Sequence, residues 1–321
     1  MPYSHRMQKS LIRSAFYAPR GRDRIYDLGM QLSQLYLSPY DKLIGFIGEA
    51  GSGKSALIKG MFPGLELTND DDGVNIRPLP LLDAEENTGF FAPHTYHVDI
   101  RFEMGLTQPH ILADAILAAI RLGRRVIVEH FDLIYPQLGR NADLMIGVGE
   151  QILVSRPNMF GPDPQEFAAD VHSSLSYRLM AHTAEDLCET HMTAEQLELC
   201  HHDDIRHGFM MVFYDRPPEL DLAELEALVN RDIEACLPVQ YADETHIFIG
   251  TYRHRCTGPR THVSDTGRVK GFRLCHEILY DRQQNRYLII GFVGEDSDES
   301  VRKLYEINRH LPDSAGTLPP D

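Results

Sequence analysis

The sequence predicts an α/β protein in which a parallel-sheet domain is followed by an α+β domain. Three observations predict it. Short apolar strand-like runs alternate with helical patterns through the first half of the chain. A proline- and glycine-rich break at Arg156-Pro157-Asn158-Met159-Phe160-Gly161-Pro162-Asp163-Pro164 separates that half from a second one with a different order of elements. The length, 321 residues, suits roughly two domains. Apolar residues make up 43% and charged residues 24% of the chain, which supplies two cores and excludes a disordered polymer.

The elements follow in order. Residues 23–37 read as an amphipathic helix, with Ile25, Leu28, Leu32, Leu35 and Tyr36 on one face. Leu43-Ile44-Gly45-Phe46-Ile47 is a short buried strand, followed by a glycine loop and a helix over about 54–61. Strand-like runs recur at 97–100, 125–130, 144–148 and 152–154, with a helix over 110–122 among them. That alternation implies a parallel sheet within residues 1–160. Residues 165–321 begin with a long helical pattern over 165–192. They continue with a strand at 208–214, a helix at 222–236 and strands near 245–253, 271–279 and 287–293. Residues 300–310 suit a last helix.

Charge and cysteine are unevenly distributed. Residues 1–165 hold 16 Lys and Arg against 19 Asp and Glu, a balance of −3, whereas residues 166–321 hold 15 against 28, a balance of −13. A bulk acidic field of this kind disfavours nonspecific nucleic-acid binding, so any RNA contact requires a local basic patch. All five Cys lie after residue 187, as do most of the 16 His after residue 165. With no apolar leader and no apolar run near the ~18 residues that cross a bilayer, the expectation is a cytoplasmic protein with reduced thiols and no membrane partner.

Gly48-Glu49-Ala50-Gly51-Ser52-Gly53-Lys54-Ser55 fits the pattern G-x-x-x-x-G-K-[ST]. Gly48, Gly51, Ser52 and Gly53 let backbone N–H groups turn inward around phosphate oxygens, and the following helix adds its positive N-terminal end. Lys54 then reaches the β- and γ-phosphates and the Ser55 hydroxyl binds Mg²⁺. Two acidic stretches complete the expected site. Asp71, in the run Asn69-Asp70-Asp71-Asp72, is a candidate for Mg²⁺ or an acceptor hydroxyl, or else part of a solvated turn. Glu129, ending the apolar strand Val126-Ile127-Val128, is the candidate carboxylate behind the Mg²⁺; Asp99 is its rival and Asp132 a weaker third. Arg121, Arg124 and Arg125 either cover phosphates or cap a helix C-terminus. On the loop motif, residues 42–155 resemble the P-loop kinase-like NTPases, which implies ATP or another NTP with Mg²⁺ as cofactors.

In the second half three segments stand in a recognisable order. Ala181-His182-Thr183-Ala184-Glu185-Asp186-Leu187 resembles the H-T-A-x-H-L motif of alanyl-tRNA synthetase editing domains. Leu228-Val229-Asn230 resembles the L-V-N core of a helix in the same domain, and Thr261-His262-Val263 with Thr266-Gly267 resembles the segment that follows its C-x-x-x-H motif. The resemblance spans residues 175–293 and implies a second additional domain of the alanyl/threonyl-tRNA synthetase type. It also implies one Zn²⁺ held by His182, Asp186, Cys256 and His262. Two departures are plain: Asp186 stands where the family has His, and five residues rather than three separate Cys256 from His262. Carboxylate is an acceptable zinc donor, and the four-residue spacing puts His182 and Asp186 on one helical face. Cys188, His191, His201, His202 and His207 are reserve ligands, and a metal-free descendant is the alternative.

Arg253, Arg255, Arg260, Arg268, Lys270 and Arg273 form a local basic cluster, read either as a contact for a tRNA acceptor end or as a solvated face. Arg6, Lys9, Arg13, Arg20, Arg22 and Arg24 form a second, N-terminal basic cluster. Three functions follow. One is an ATP-dependent protein linked to tRNA or aminoacyl-ester recognition, with metal-assisted deacylation of mischarged tRNA. A second is a kinase of a nucleoside or amino-acid-like small molecule, with the editing-like half as a regulatory or acceptor-binding module. The third is a non-catalytic, nucleotide-gated binding protein.

Overall fold

A computed structural model describes residues 11–65, 67 and 95–310. The fold is mixed α/β, and the chain divides into two compact units. The first comprises Met1–Ala18 with Arg22–Ser174, and the second Pro19–Gly21 with Leu175–Asp321.

In the first unit the described elements are β1 (Ser14–Tyr17), α1 (Arg22–Tyr36), β2 (Leu43–Ile47), α2 (Lys54–Met61), β3 (Thr95–Asp99), α3 (Ile100–Glu103), α4 (Pro109–Arg121), β4 (Arg125–Glu129), α5 (Phe131–Leu138), β5 (Leu144–Val148) and β6 (Gln151–Ser155). The long helix α6 (Pro164–Thr190) starts here and continues into the second unit. Six strands form one sheet in the order β1-β6-β5-β2-β4-β3. β5, β2, β4 and β3 are parallel, whereas β6 and β1 run antiparallel to their neighbours. The sheet is therefore mixed and not wholly parallel. The reason is local: only Gly149 and Glu150 separate β5 from β6, and a connection that short turns a hairpin but cannot carry a crossover.

Alternate strand residues face opposite ways, and each face has its own cover. Ile44, Phe46, Ile127, Ile146 and Val148 pack with Ile25 and Leu32 of α1 and Leu57 and Ile58 of α2. Leu43, Ile47, Val98, Val126, Val128 and Met145 pack with Leu112 and Ile116 of α4, Phe131 and Ile134 of α5, and Phe167 and Val171 of α6. The result is a helix–sheet–helix sandwich whose central strand, β2, is buried along its whole length. α1 and α2 approach closely: a Cβ at Gly60 would lie 2.1 Å from the Tyr26 carbonyl oxygen, so only glycine fits there.

The second unit continues α6 and adds α7 (Ala194–Leu199), β7 (His201–Ile205), β8 (Gly208–Phe213), α8 (Leu222–Glu234), β9 (Val239–Asp243), β10 (His246–Ile249), β11 (Tyr252–Arg255), β12 (Arg273–Leu274), β13 (Leu279–Asp281), β14 (Arg286–Phe292) and α9 (Ser297–His310). One antiparallel sheet runs β12-β14-β8-β7, with β13 also on β14, and a second runs β11-β10-β9. β8 and β14 are apolar on both faces. Phe209, Met211 and Ile289 pack with Ala184 and Leu187 of α6 and Leu225 and Val229 of α8, while Val212, Leu288 and Ile290 pack beneath Val301 and Leu304 of α9.

Three local expectations change. The run read as one strand at 245–253 is a hairpin, β10 and β11, turning at Gly250 with φ +59°. The run at 271–279 keeps only β12 as a strand, with β13 beginning at its end. His201–Ile205, given no element from the sequence, pairs with β8 despite its polarity; it is the edge of its sheet, where one face meets water.

Candidate functional sites

In the first unit β2 runs into the glycine loop, and the loop into α2. β2 lies between β4 and β5, and the chain leaves it in one direction for β3 and later crosses back to β5. It is a topological switch point, where α/β sheets leave a crevice beyond the carboxyl ends of their strands. Gly53 takes φ +98° just before α2, and a Cβ there would lie 2.7 Å from Ile25 Cδ1, so the residue is fixed by conformation and by space. Ala50 and Gly51 are exposed, while Lys54 is 4% exposed. Lys54 Nζ donates to the carbonyl oxygens of Gly48 (3.0 Å) and Glu49 (2.8 Å) and lies 3.6 Å from Glu129 Oε2. Ser55 Oγ, on the first turn of α2, reaches Glu129 Oε1 at 3.5 Å.

Glu129 and Asp99 end adjacent parallel strands and are paired in register, so the two rival carboxylates occupy one place. With His130 they form a group whose donor atoms lie within 4.8 Å of one another. His97 Nε2 sits 3.1 Å from Glu129 Oε1. Burial pushes the Glu129 carboxyl up, but the hydrogen bond and charge of His97 and the charge of Lys54 outweigh it, and the pKa is lowered. Lys54 is also lowered, because loss of water outweighs the attraction of Glu129 and Asp99. The carboxylate is thus the better-compensated partner. His130, held at φ +56° where α5 begins, is lowered by burial and then by Lys54.

The other expected residues of this unit divide. Asp132 lies in the first turn of α5. Arg125 starts β4, four residues before Glu129, and donates to the carbonyls of Asp41 (2.9 Å) and Ser38 (3.0 Å); it is at the opposite end of the strand from the loop and covers no phosphate. Asp71 lies outside the described residues. His97 was not anticipated, although its place two residues before Asp99 on a strand puts both on one face.

In the second unit α6 carries His182, Glu185, Asp186 and Glu189 within a stretch whose other members are Ala181, Ala184, Leu187 and Cys188 of the core and the buried Thr183. The segment after β11 brings Cys256, Thr261 and His262 to that helix. Asp186 Oδ2 pairs with His262 Nε2 at 2.9 Å, and Cys256 Sγ lies 3.7 Å from the same nitrogen. Asp186, Cys256 and His262 have donor atoms within 4.8 Å of one another. His182 is beside them, its ring 6.4 Å from that of His262, but Nδ1 is engaged by Thr261 Oγ1 at 2.9 Å and Nε2 lies 3.6 Å from Asp204 Oδ1 without a hydrogen bond. The four residues expected to share a metal therefore meet, with three of them as a tight set.

A cation from elsewhere in the chain is already among them. Arg20, 2% exposed, donates from Nη1 to Glu185 and from Nη2 to Asp186, and the same Nη2 lies 3.1 Å from Cys256 Sγ. His202 bridges Glu185 (3.0 Å) and Glu189 (3.2 Å), and His254 lies 3.0 Å from Glu189. As arranged, the Asp186 and Cys256 donors are committed to Arg20, and this set does not fit a zinc ion alongside it. Burial, the foremost influence, and then the Arg20 charge leave His262 lowered to about 3; His182 is lowered to about 4, chiefly by burial. His202 goes the other way, raised by Glu185 in spite of burial.

Sequence reasoning placed Arg20 in an N-terminal basic cluster. Three acids within an otherwise apolar stretch of helix signal that some buried cation must exist, but nothing in the sequence points across 165 residues to Arg20. The surface basic cluster is largely neutralised: Arg253 pairs with Asp243, Arg260 with Glu244, Arg268 with Asp265 and Arg273 with Asp298. Among the described residues, no helix is long and apolar enough to cross a membrane. No model of a known protein family matches this chain, and no curated protein matches it either.

Proposed function

We propose that the first unit is a P-loop NTPase domain of the kinase-like type, which binds ATP or another nucleoside triphosphate with Mg²⁺ and transfers or hydrolyses the γ-phosphoryl group. The observation that carries this reading is the single cluster made at the end of β2: a glycine loop with exposed backbone, Lys54 Nζ anchored on two loop carbonyls, Ser55 on the first helical turn, and Glu129 within reach of both. Backbone N–H groups of the loop and the α2 N-terminus hold phosphate oxygens. Lys54 places positive charge where charge gathers as the phosphoryl group leaves. Ser55, Glu129 and Asp99 are the residues that would hold Mg²⁺, which when bound neutralises phosphate charge. His97 keeps Glu129 ionised and oriented.

The second unit is read as an editing-domain-like recognition module for a tRNA acceptor end or an amino-acid-like molecule. Of its two roles, acceptor binding or regulation is favoured over metal-assisted deacylation, because Arg20 occupies the donors that deacylation would need.

Lys54→Ala tests the first part. ATP turnover, measured as phosphate release or transfer with Mg²⁺, should fall by about 10²-fold or more, as when a transition-state cation is removed. Unchanged turnover would dismiss the loop as a catalytic element. A thermal-shift panel of nucleosides, amino acids and tRNA, each with ATP and Mg²⁺, should identify the acceptor by a raised melting temperature.

A further inference from the structure

The buried polar cluster of the second unit brings Cys, His and Asp donors together away from the surface and then gives them an organic cation. The segment Pro19–Gly21 is part of this unit, although the chain on either side of it belongs to the other. Its backbone is fixed there as well as its side chain: Arg20 N donates to Asp204 Oδ2 at 3.4 Å, and a Cβ at Gly21 would touch Thr257 at 3.4 Å. The guanidinium meets two carboxylates and a sulfur with two of its nitrogens, while Arg20 Nε is buried without a hydrogen-bond partner. Two carboxylates, Glu185 and Asp186, and the Cys256 thiol meet the guanidinium, while Glu189 beside them is held by His202 and His254.

Those donors suit a soft divalent ion as well as they suit an arginine. Thiolate, imidazole and carboxylate are the usual zinc donors, and bonds of ~2.0–2.3 Å to a tetrahedral ion need donor atoms a little over 3 Å apart. Cys256 Sγ and His262 Nε2 are 3.7 Å apart, and Asp186 Oδ2 is 2.9 Å from that nitrogen. Glu185, next to Asp186 on α6, holds the arginine's other terminal nitrogen. What keeps the set from an ion is Nη2, which lies against Asp186 and Cys256 at once.

We propose that Arg20 is the resident cation of a latent metal site, its guanidinium standing where a zinc-class ion would sit among Asp186, Cys256 and His262, so that arginine and metal exclude one another. This goes beyond the nucleotide reading and is independent of it. It makes the metal-free state of the cluster a built feature of the chain, in which residues 19–21 supply by sequence what an ion would supply by binding.

Cobalt(II) is the probe, since thiolate ligation to it gives a near-ultraviolet charge-transfer band and tetrahedral geometry gives visible bands. The full chain should bind Co²⁺ weakly and without the thiolate band. Arg20→Ala and Arg20→Met should each bind one Co²⁺ per chain at least a hundredfold more tightly, with the thiolate band present, and Cys256→Ser in either background should remove it. Far-UV circular dichroism reports folding in parallel. Variants that fold only when Zn²⁺ or Co²⁺ is added support the proposal, because the ion then replaces the missing charge. Three results overturn it: a thiolate band of equal strength in the unmodified chain, zinc bound through Cys256 in the protein as purified, or Arg20 variants that take up no metal, whether folded or not.

Discussion

Lys54 in the first unit and Arg20 in the second are both long basic side chains buried against carboxylates, and the two are built for opposite ends. In the second unit Arg20 is enclosed with Glu185 and Asp186, all at 2% exposure or less, and its hydrogen-bonding capacity is largely spent inside the chain. In the first unit Lys54 is also buried, but it ends at a loop whose Ala50 and Gly51 face water, and its nearest carboxylate stands 3.6 Å away. The electrostatics agree. Despite burial, Glu185 and Cys256 raise the Arg20 pKa, whereas the Lys54 pKa is lowered because desolvation beats its partners. A cation fully compensated by its own chain is structural. A cation left under-compensated beside an open loop is one that an external anion would stabilise, as the proposed nucleotide phosphates would.

The sharpest way to break that comparison is to remove the enclosed cation. Arg20→Ala takes the guanidinium from two buried carboxylates, leaving Asp186 only the imidazole of His262, which burial keeps neutral, and Glu185 only His202, and loss of one partner from a buried ion pair typically costs about 3–5 kcal/mol. Unfolding of the variant in metal-free buffer should fall by that amount in denaturant titrations followed by circular dichroism, a suitable probe because the chain has no Trp. A loss below about 1 kcal/mol would mean that water already enters the cluster and that Arg20 is a surface residue in function.

The difference between the units also marks what could be read from the sequence. The glycine loop between β2 and α2 was legible as a turn between a strand and a helix because its eight residues are contiguous and its glycines have a steric reason to be there. So were α1, α2, α4, the long α6 and α8, whose apolar spacing is helical. Glu129 and Asp99 were found as rivals; the parallel pairing of β3 and β4, which sequence does not encode locally, makes them neighbours. Three things stayed hidden. The antiparallel turn after β5 depends on a two-residue connection, and short apolar strands carry no direction. β7 is polar, and its pairing is decided by the edge of a sheet formed later in the chain. Arg20 reads as one more N-terminal basic residue, because burial of a charge is settled by partners 165 and 166 positions away.

Acid pH sharpens the comparison from the side of histidine. His182 is buried and lowered to about 4 from an ordinary value near 6.5. Its contribution is whole above about pH 6.5 and is lost as pH falls toward 4, since the unfolded chain takes up a proton that the folded one refuses. Between pH 6 and 5 that loss is about 1 kcal/mol for the one group. His182→Gln should make the decline of stability over this interval shallower by that amount. His202 has the reverse sign. Its pKa is raised, so its pairing with Glu185 is complete below pH 6.5 and fades as pH rises through the folded value. Equal slopes for His182→Gln and the unmodified chain would show that His182 titrates as freely as in water.

The smallest expected effect falls on the lysine proposed to serve phosphoryl transfer. Lys54→Met keeps the length of the side chain and removes its charge. Glu129 keeps His97 at 3.1 Å, so no carboxylate is left bare, and what is lost is two hydrogen bonds to loop carbonyls. Against that loss stands the relief of a cation whose burial costs more than its partners return. An apolar residue in place of a buried ion is often neutral or stabilising. The two effects should nearly cancel, leaving the unfolding free energy within about 1 kcal/mol of the unmodified chain, while ATP no longer raises the melting temperature. A loss of 3 kcal/mol or more would place Lys54 in the same class as Arg20, a charge the fold itself requires, and the contrast between the two sites would go with it.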